Sequence, residues 1–156
     1  MIKDKYIQEE QEIKELRSLR NQIRAKNSLT IKSTEDILNA FNSDKGSTLV
    51  TFKELYSLEI GKIYDVNNGV SFVMLSKSEK HLVFETYMQD GGEFGLQEHD
   101  CYEFCEVLKG NLIEKERGYK VYTEGDFISY SPNEKHKPYS TKDSIYRVVF
   151  IKNIDL

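Results

Sequence analysis

The stretch GGEFGLQEHDCYEFCEVLKG, residues 91–110, decides the fold, and its counterpart is GDFISYSPNEKHKPYS, residues 125–140. Residues two apart on a strand project to the same face, so a strand over 95–99 turns Gln97 and His99 to one side. Asp100-Cys101-Tyr102 then reads as a hairpin connection, and Glu103 opens a second strand over 103–108 facing the same interior. His136 follows more than thirty residues later, and only closure of a sheet on itself would bring it to the other three.

Outward from this stretch, short runs rich in Val, Ile, Phe and Tyr alternate with Gly, Asn and charged turns, the pattern of an all-β sandwich or barrel. Strands are expected at 48–52, 62–65, 70–76, 82–89, 95–99, 103–108, 112–116, 120–123, 127–130, 137–140 and 145–152. The N-terminal part differs. Residues 3–26 are rich in Glu, Gln, Lys and Arg with no Pro or Gly, which predicts a helix. Its seam (Tyr6, Ile13 and Arg20 alternating with Glu9, Leu16 and Ile23) is imperfect and short for a coiled coil. Docking on its own domain or on a partner subunit is the expectation. A second helix starts at Ser33-Thr34-Glu35-Asp36, carries Ile37, Leu38 and Phe41 on one face, and stops near Asn42 before turn residues. The chain therefore divides into a helical arm, 1–45, and a mainly β unit, 46–156.

With 156 residues the chain can bury a core without disulfides, and Cys101 and Cys105 are too close in sequence to clamp a distant loop. Both read as free thiols, Cys101 exposed in the turn. The first ten residues are charged and lack an apolar signal core, and no membrane span follows, so the expectation is a cytoplasmic protein with no membrane partner. Net charge is −4 with acids and bases interspersed, which argues against nucleic acid as a partner.

Two motifs make a family resemblance specific. Gly91, five residues, Gln97-Glu98-His99, three residues, Glu103, six residues and Gly110 reproduce the first motif of the cupin superfamily, with Gln97 where that family usually has its first histidine. Gly125, five residues, Ser131-Pro132-Asn133, two residues, His136, three residues and Ser140 are similar to the second. There Ser131, Asn133 and Ser140 replace the usual proline, glycine and asparagine. The resemblance covers roughly the C-terminal two thirds of the chain. It implies a double-stranded β-helix, a jelly-roll barrel with the N-terminal helical arm appended, and a homodimer. It further implies one divalent transition metal ion held by Gln97, His99, Glu103 and His136. Two imidazoles and a carboxylate suit Fe, Mn, Ni, Cu or Zn, and Gln97 can add a neutral carbonyl oxygen.

The implied function is a small metal-binding cupin acting on or binding a small organic molecule, an organic acid or sugar derivative, by dioxygenase, lyase or isomerase chemistry. The alternative is a non-catalytic binding or sensory module without metal chemistry, which Gln97 in place of histidine and the helical arm support. No catalytic residue is assigned by the sequence, although Glu103 without a metal could serve as a general base. His81 lies in a charged turn and reads as solvated. Cys105 shares the parity of Glu103 and reads as buried and inert or as a further ligand. Arg147, mid-strand, reads as outward and paired with an acid, or inward as a clamp for a substrate carboxylate or phosphate. Parity alone does not say which of Tyr87, Tyr102, Tyr122, Tyr130, Tyr139 and Tyr146 face inward.

Overall fold

The computed structural model describes residues 48–154. The helices expected at 3–26 and 33–42, and with them the boundary near residue 45, lie outside these residues. Among the described residues the chain is a β-sandwich, and no helix is long and apolar enough to cross a membrane.

Chain order runs β1 (Thr48–Leu49), α1 (Phe52–Tyr56), β2 (Ile63–Asn67), β3 (Val70–Lys77), β4 (His81–Met88), β5 (Gln97–Glu98), β6 (Tyr102–Lys109), β7 (Asn111–Glu114), β8 (Lys120–Thr123), β9 (Phe127–Tyr130), β10 (Pro138–Tyr139) and β11 (Ser144–Ile151). One layer is a six-stranded sheet in the order β2-β3-β4-β11-β6-β9, antiparallel throughout. The other consists of β10-β7-β8 and a parallel pair β1-β5, joined through the bridge between Gln97 and His136.

Alternation along the strands places the core. In β4, Leu82, Phe84, Thr86 and Met88 are buried, and in β6 Glu103, Cys105 and Val107 are, while Phe104 and Tyr102 on the opposite face are exposed. These inner residues meet Leu112 and Tyr122 of the second layer in one cluster, with Phe72, Tyr146 and Phe150 between them. Phe72, Phe84 and Phe150 form a chain of edge-on rings with centroids 5.6 Å apart. A smaller cluster of Ile63, Tyr87 and Ile145 lies apart from this core, so Tyr87 is buried without reaching the interior that Tyr130 and Tyr146 line.

Three expectations need correction. Residues 48–52 are not one strand: pairing ends at Leu49, and α1 begins behind a capping box in which Thr51 and Glu54 satisfy each other's backbone. The helix buries Phe52 and Leu55, a gain the strand reading missed. Secondly, β5 and β6 are not a hairpin. β5 pairs with β1 in one layer and β6 with β9 and β11 in the other, so 99–101 carry the chain between sheets. Thirdly, this crossing buries Cys101, which is 1% exposed, where a hairpin turn would have left it in solvent. Burial and the neighbouring Asp100 and Glu103 push its thiol up to about 12, so it is held as the neutral thiol.

Gly110 ends β6 with φ of 80°, and its lack of a side chain is required as well as its freedom. A Cβ there would stand 2.7 Å from the Asp143 carbonyl oxygen and 2.8 Å from Ser144 Cβ.

Candidate metal centre

Three separate elements deliver the candidate ligands. His99 follows β5 at the crossing, Glu103 is an inner residue of β6, and His136 precedes β10. The backbones are locked together. Gln97 and His136 exchange both N–H···O bonds, at 3.0 and 2.9 Å, and the Asn133 N–H donates to the His99 carbonyl at 2.6 Å. Asn133 has φ of 64°, the left-handed region, at the position where the cupin motif has glycine. Asparagine is among the few other residues that tolerate it, so the turn survives the replacement.

His99 and His136 are each 2% exposed and Glu103 9%. The two imidazole centroids lie 5.0 Å apart. Glu103 Oε1 stands 3.2 Å from His99 Nε2 and 3.6 Å from His136 Nε2, and the three candidate donor atoms all lie within 4.8 Å of one another. Two ligands each about 2.1 Å from one ion are separated by roughly 3.0–3.4 Å at right-angle to tetrahedral geometry. The His99–Glu103 spacing falls in that range, and the His136–Glu103 spacing exceeds it by about 0.2 Å.

The other ring nitrogens are committed. His99 Nδ1 lies 2.8 Å from the Val50 carbonyl oxygen and His136 Nδ1 3.1 Å from that of Glu134. A carbonyl oxygen only accepts, so both Nδ1 atoms carry a proton and both Nε2 atoms turn toward Glu103. This is the orienting contact that metal-ligating histidines characteristically make.

Ring packing fixes the imidazoles further. Phe150 meets His99 edge-on with centroids 5.0 Å apart, and Tyr130 stacks on His136 at 4.2 Å and 24°. Arg117 sits over the Tyr130 ring, 4.9 Å from its centroid, and pairs with Glu134 at 2.9 Å. Burial lowers His136 to about 4, although Glu103 opposes the shift, so it is neutral and competent to ligate at neutral pH. Burial alone would raise Glu103; when the cluster holds no ion, a proton on the imidazole side outweighs it, through the charge of His136 and a hydrogen bond from His99, and holds the carboxyl below its usual range.

Gln97 is buried and lines the same cavity as Glu103 and His136. The group able to hold a metal is His99, Glu103 and His136, with Gln97 beside it through its backbone pairing to His136. Cys105 is 2% exposed on the cavity wall, and burial followed by Glu103 and Glu106 raises its thiol, which favours the inert reading. His81 is exposed, as expected. Arg147 points outward and meets Glu85 at 3.4 Å, so it does not enter the cavity.

No role for Glu114 follows from its place in the sequence. Its carboxylate is fully buried and accepts from Tyr130 Oη at 2.7 Å, the Lys137 N–H at 2.8 Å and the Glu116 N–H at 2.9 Å. It thereby anchors both the ring stacked on His136 and the residue after His136. Glu114 lies in a predicted strand next to three more charged residues, and only the partners from distant segments distinguish it.

Neither a family model nor a curated protein matches the sequence. Solved structures do. An RmlC-like cupin from Shewanella frigidimarina is 19% identical, with TM-score 0.55 over 64% of this chain and 93% of its own. KdgF from a Halomonas species is 12% identical, with TM-score 0.53 over 60% of this chain and 91% of its own. Two packed layers of strands and inward alternation along β4 and β6 agree with that likeness: the chain has the cupin fold.

Proposed function

We propose that the protein is a small metal-binding cupin that acts on or binds a small organic molecule at one mononuclear centre. His99 and His136 hold the ion through Nε2 and Glu103 through its carboxylate, with Gln97 beside them as a neutral oxygen donor. One observation carries this reading. Three potential ligand atoms, Nε2 of two imidazoles and a carboxylate oxygen, face one another in a buried space, with Glu103 3.2 and 3.6 Å from the two nitrogens. A single proton relieves one such contact, whereas a divalent cation relieves all of them at once. When bound, the ion supplies a Lewis acid with open positions for substrate or oxygen.

The chain's own residues set the conditions. The carbonyls of Val50 and Glu134 keep the Nδ1 protons in place and the Nε2 atoms aimed inward. Tyr130 and Phe150 stop the rings from rotating. Apolar walls, among them Phe72, Phe84 and Leu112, keep bulk water from the ligands and strengthen electrostatic interactions there.

The test is metal content and uptake by the purified full chain. We expect one equivalent of a divalent transition metal per chain after gentle purification or on titration of stripped protein, and loss of uptake in His99→Ala and His136→Ala with the β-rich circular dichroism retained. Stoichiometric uptake undiminished in both variants, or none in the wild type, would remove the ligand roles.

A further inference from the structure

Of the candidate ligands, Gln97, Glu103 and His136 line a cavity of about 50 Å³ between the two layers. By the space one water requires, this is room for roughly three or four waters, hence for a small molecule. Among the described residues that line it there is no lysine or arginine, and Glu103 is the one carboxylate. Three cations on the surrounding elements are engaged elsewhere: Lys115 with Glu93 at 3.1 Å, Arg117 with Glu134 at 2.9 Å, and Arg147 with Glu85 at 3.4 Å. The phenols on the wall are also committed. Tyr130 donates to Glu114 at 2.7 Å, and Tyr146 donates to the Asn111 carbonyl. Apart from the Thr86 hydroxyl, the Gln97 amide and the Cys105 thiol, the remainder is hydrocarbon, aromatic ring or thioether, including Phe94, Met88 and Val148.

Resting on the metal-binding reading, we infer that the site takes a one-headed ligand: a small organic molecule with a single polar group at the Glu103–His136 end and an apolar remainder. Such a molecule meets the ligand cluster with its head and hydrocarbon with its body. A second charge would be desolvated with no counter-ion, and a second hydroxyl away from Thr86 and Gln97 would be desolvated against hydrocarbon. Diacids, polyols, sugars and phosphate esters are thereby disfavoured. Of the two substrate types the sequence suggested, the walls favour a monoacid or its neutral equivalents over a sugar derivative.

Three four-carbon probes with the same carboxylate head test this on the cobalt-loaded full chain, read by the visible spectrum of the metal and by thermal shift. Butyrate should bind at least about tenfold more tightly than 4-hydroxybutyrate and on the order of a hundredfold more tightly than succinate. Succinate or 4-hydroxybutyrate binding as tightly as butyrate would overturn the inference, as would no binding of any probe. Absence of cobalt uptake would instead count against the metal reading. The cavity preference is then judged on metal-free protein with 1-butanol against 1,4-butanediol. A larger thermal shift with the mono-alcohol supports it, and an equal or larger shift with the diol overturns it.

Discussion

Two buried glutamates, Glu103 and Glu114, sit on either side of the Tyr130–His136 stack in opposite circumstances. Glu114 is met by three donors, a phenol and two backbone N–H groups. Desolvation still raises its carboxyl, but its oxygens have partners of the correct sign. Glu103 is met by two imidazole nitrogens whose rings donate elsewhere. Burial alone therefore does not mark a functional carboxylate. The sign of what surrounds it does, and a closed donor shell reads as architecture while facing ligand atoms read as a place for a cation.

Substitutions should separate the two. The largest loss of stability is expected for Glu114→Ala, which orphans three donors at roughly 1 kcal/mol each and leaves a cavity, for a total of about 3–5 kcal/mol in urea unfolding of stripped protein. A loss under about 1 kcal/mol would erase the distinction, since that is what is expected of Glu103→Gln in the same assay. Glu103→Gln should instead lose metal uptake.

Acid gives an effect of similar origin. An unfolded imidazole titrates near 6.5 and His136 in the fold near 4, so between these values the unfolded chain binds a proton that the native one refuses. Stability of the stripped protein should rise with pH from about 4 to 6.5, by up to about 3 kcal/mol, and level off above. The depressed Glu103 carboxyl adds loss in the same direction at the acid end. His136→Gln should flatten the rise, and an unchanged slope would show that other groups cause it.

Tyr130→Phe keeps the stack on His136 and removes the hydroxyl that binds Glu114. About 1–2 kcal/mol of stability should go, with metal affinity falling about tenfold through looser orientation of the ring. A loss of affinity as complete as that of Glu103→Gln would place Tyr130 among the ligands.

Much of this arrangement was legible in the residues. Strands β8 and β9 have the bounds the pattern predicts, because period-two burial imposes local alternation on the chain directly. Of the four residues singled out by the resemblance to the two cupin motifs, His99, Glu103 and His136 converge. The crossing from β5 to β6 was not legible, because a three-residue link between inward residues looks the same whether it turns a hairpin or changes sheets. Cys101 was misplaced for that reason. The helix α1 did leave a local signal, Thr51 and Glu54 three apart ahead of Leu55 and Leu58, but β-prone Thr and Phe outweighed it. Glu114 left none, since its donors Tyr130 and Lys137 lie 16 and 23 residues away.

The central claim is that Nε2 of both buried histidines is the atom that takes a metal cation. Nitrogen-15 resonances of the three histidines during titration of stripped protein with zinc test it most directly. One equivalent should shift Nε2 of His99 and His136 together, leave both Nδ1 atoms protonated, and leave the exposed His81 unmoved. Zinc that shifts Nδ1, moves His81 alone, or leaves all three rings unchanged would contradict the account.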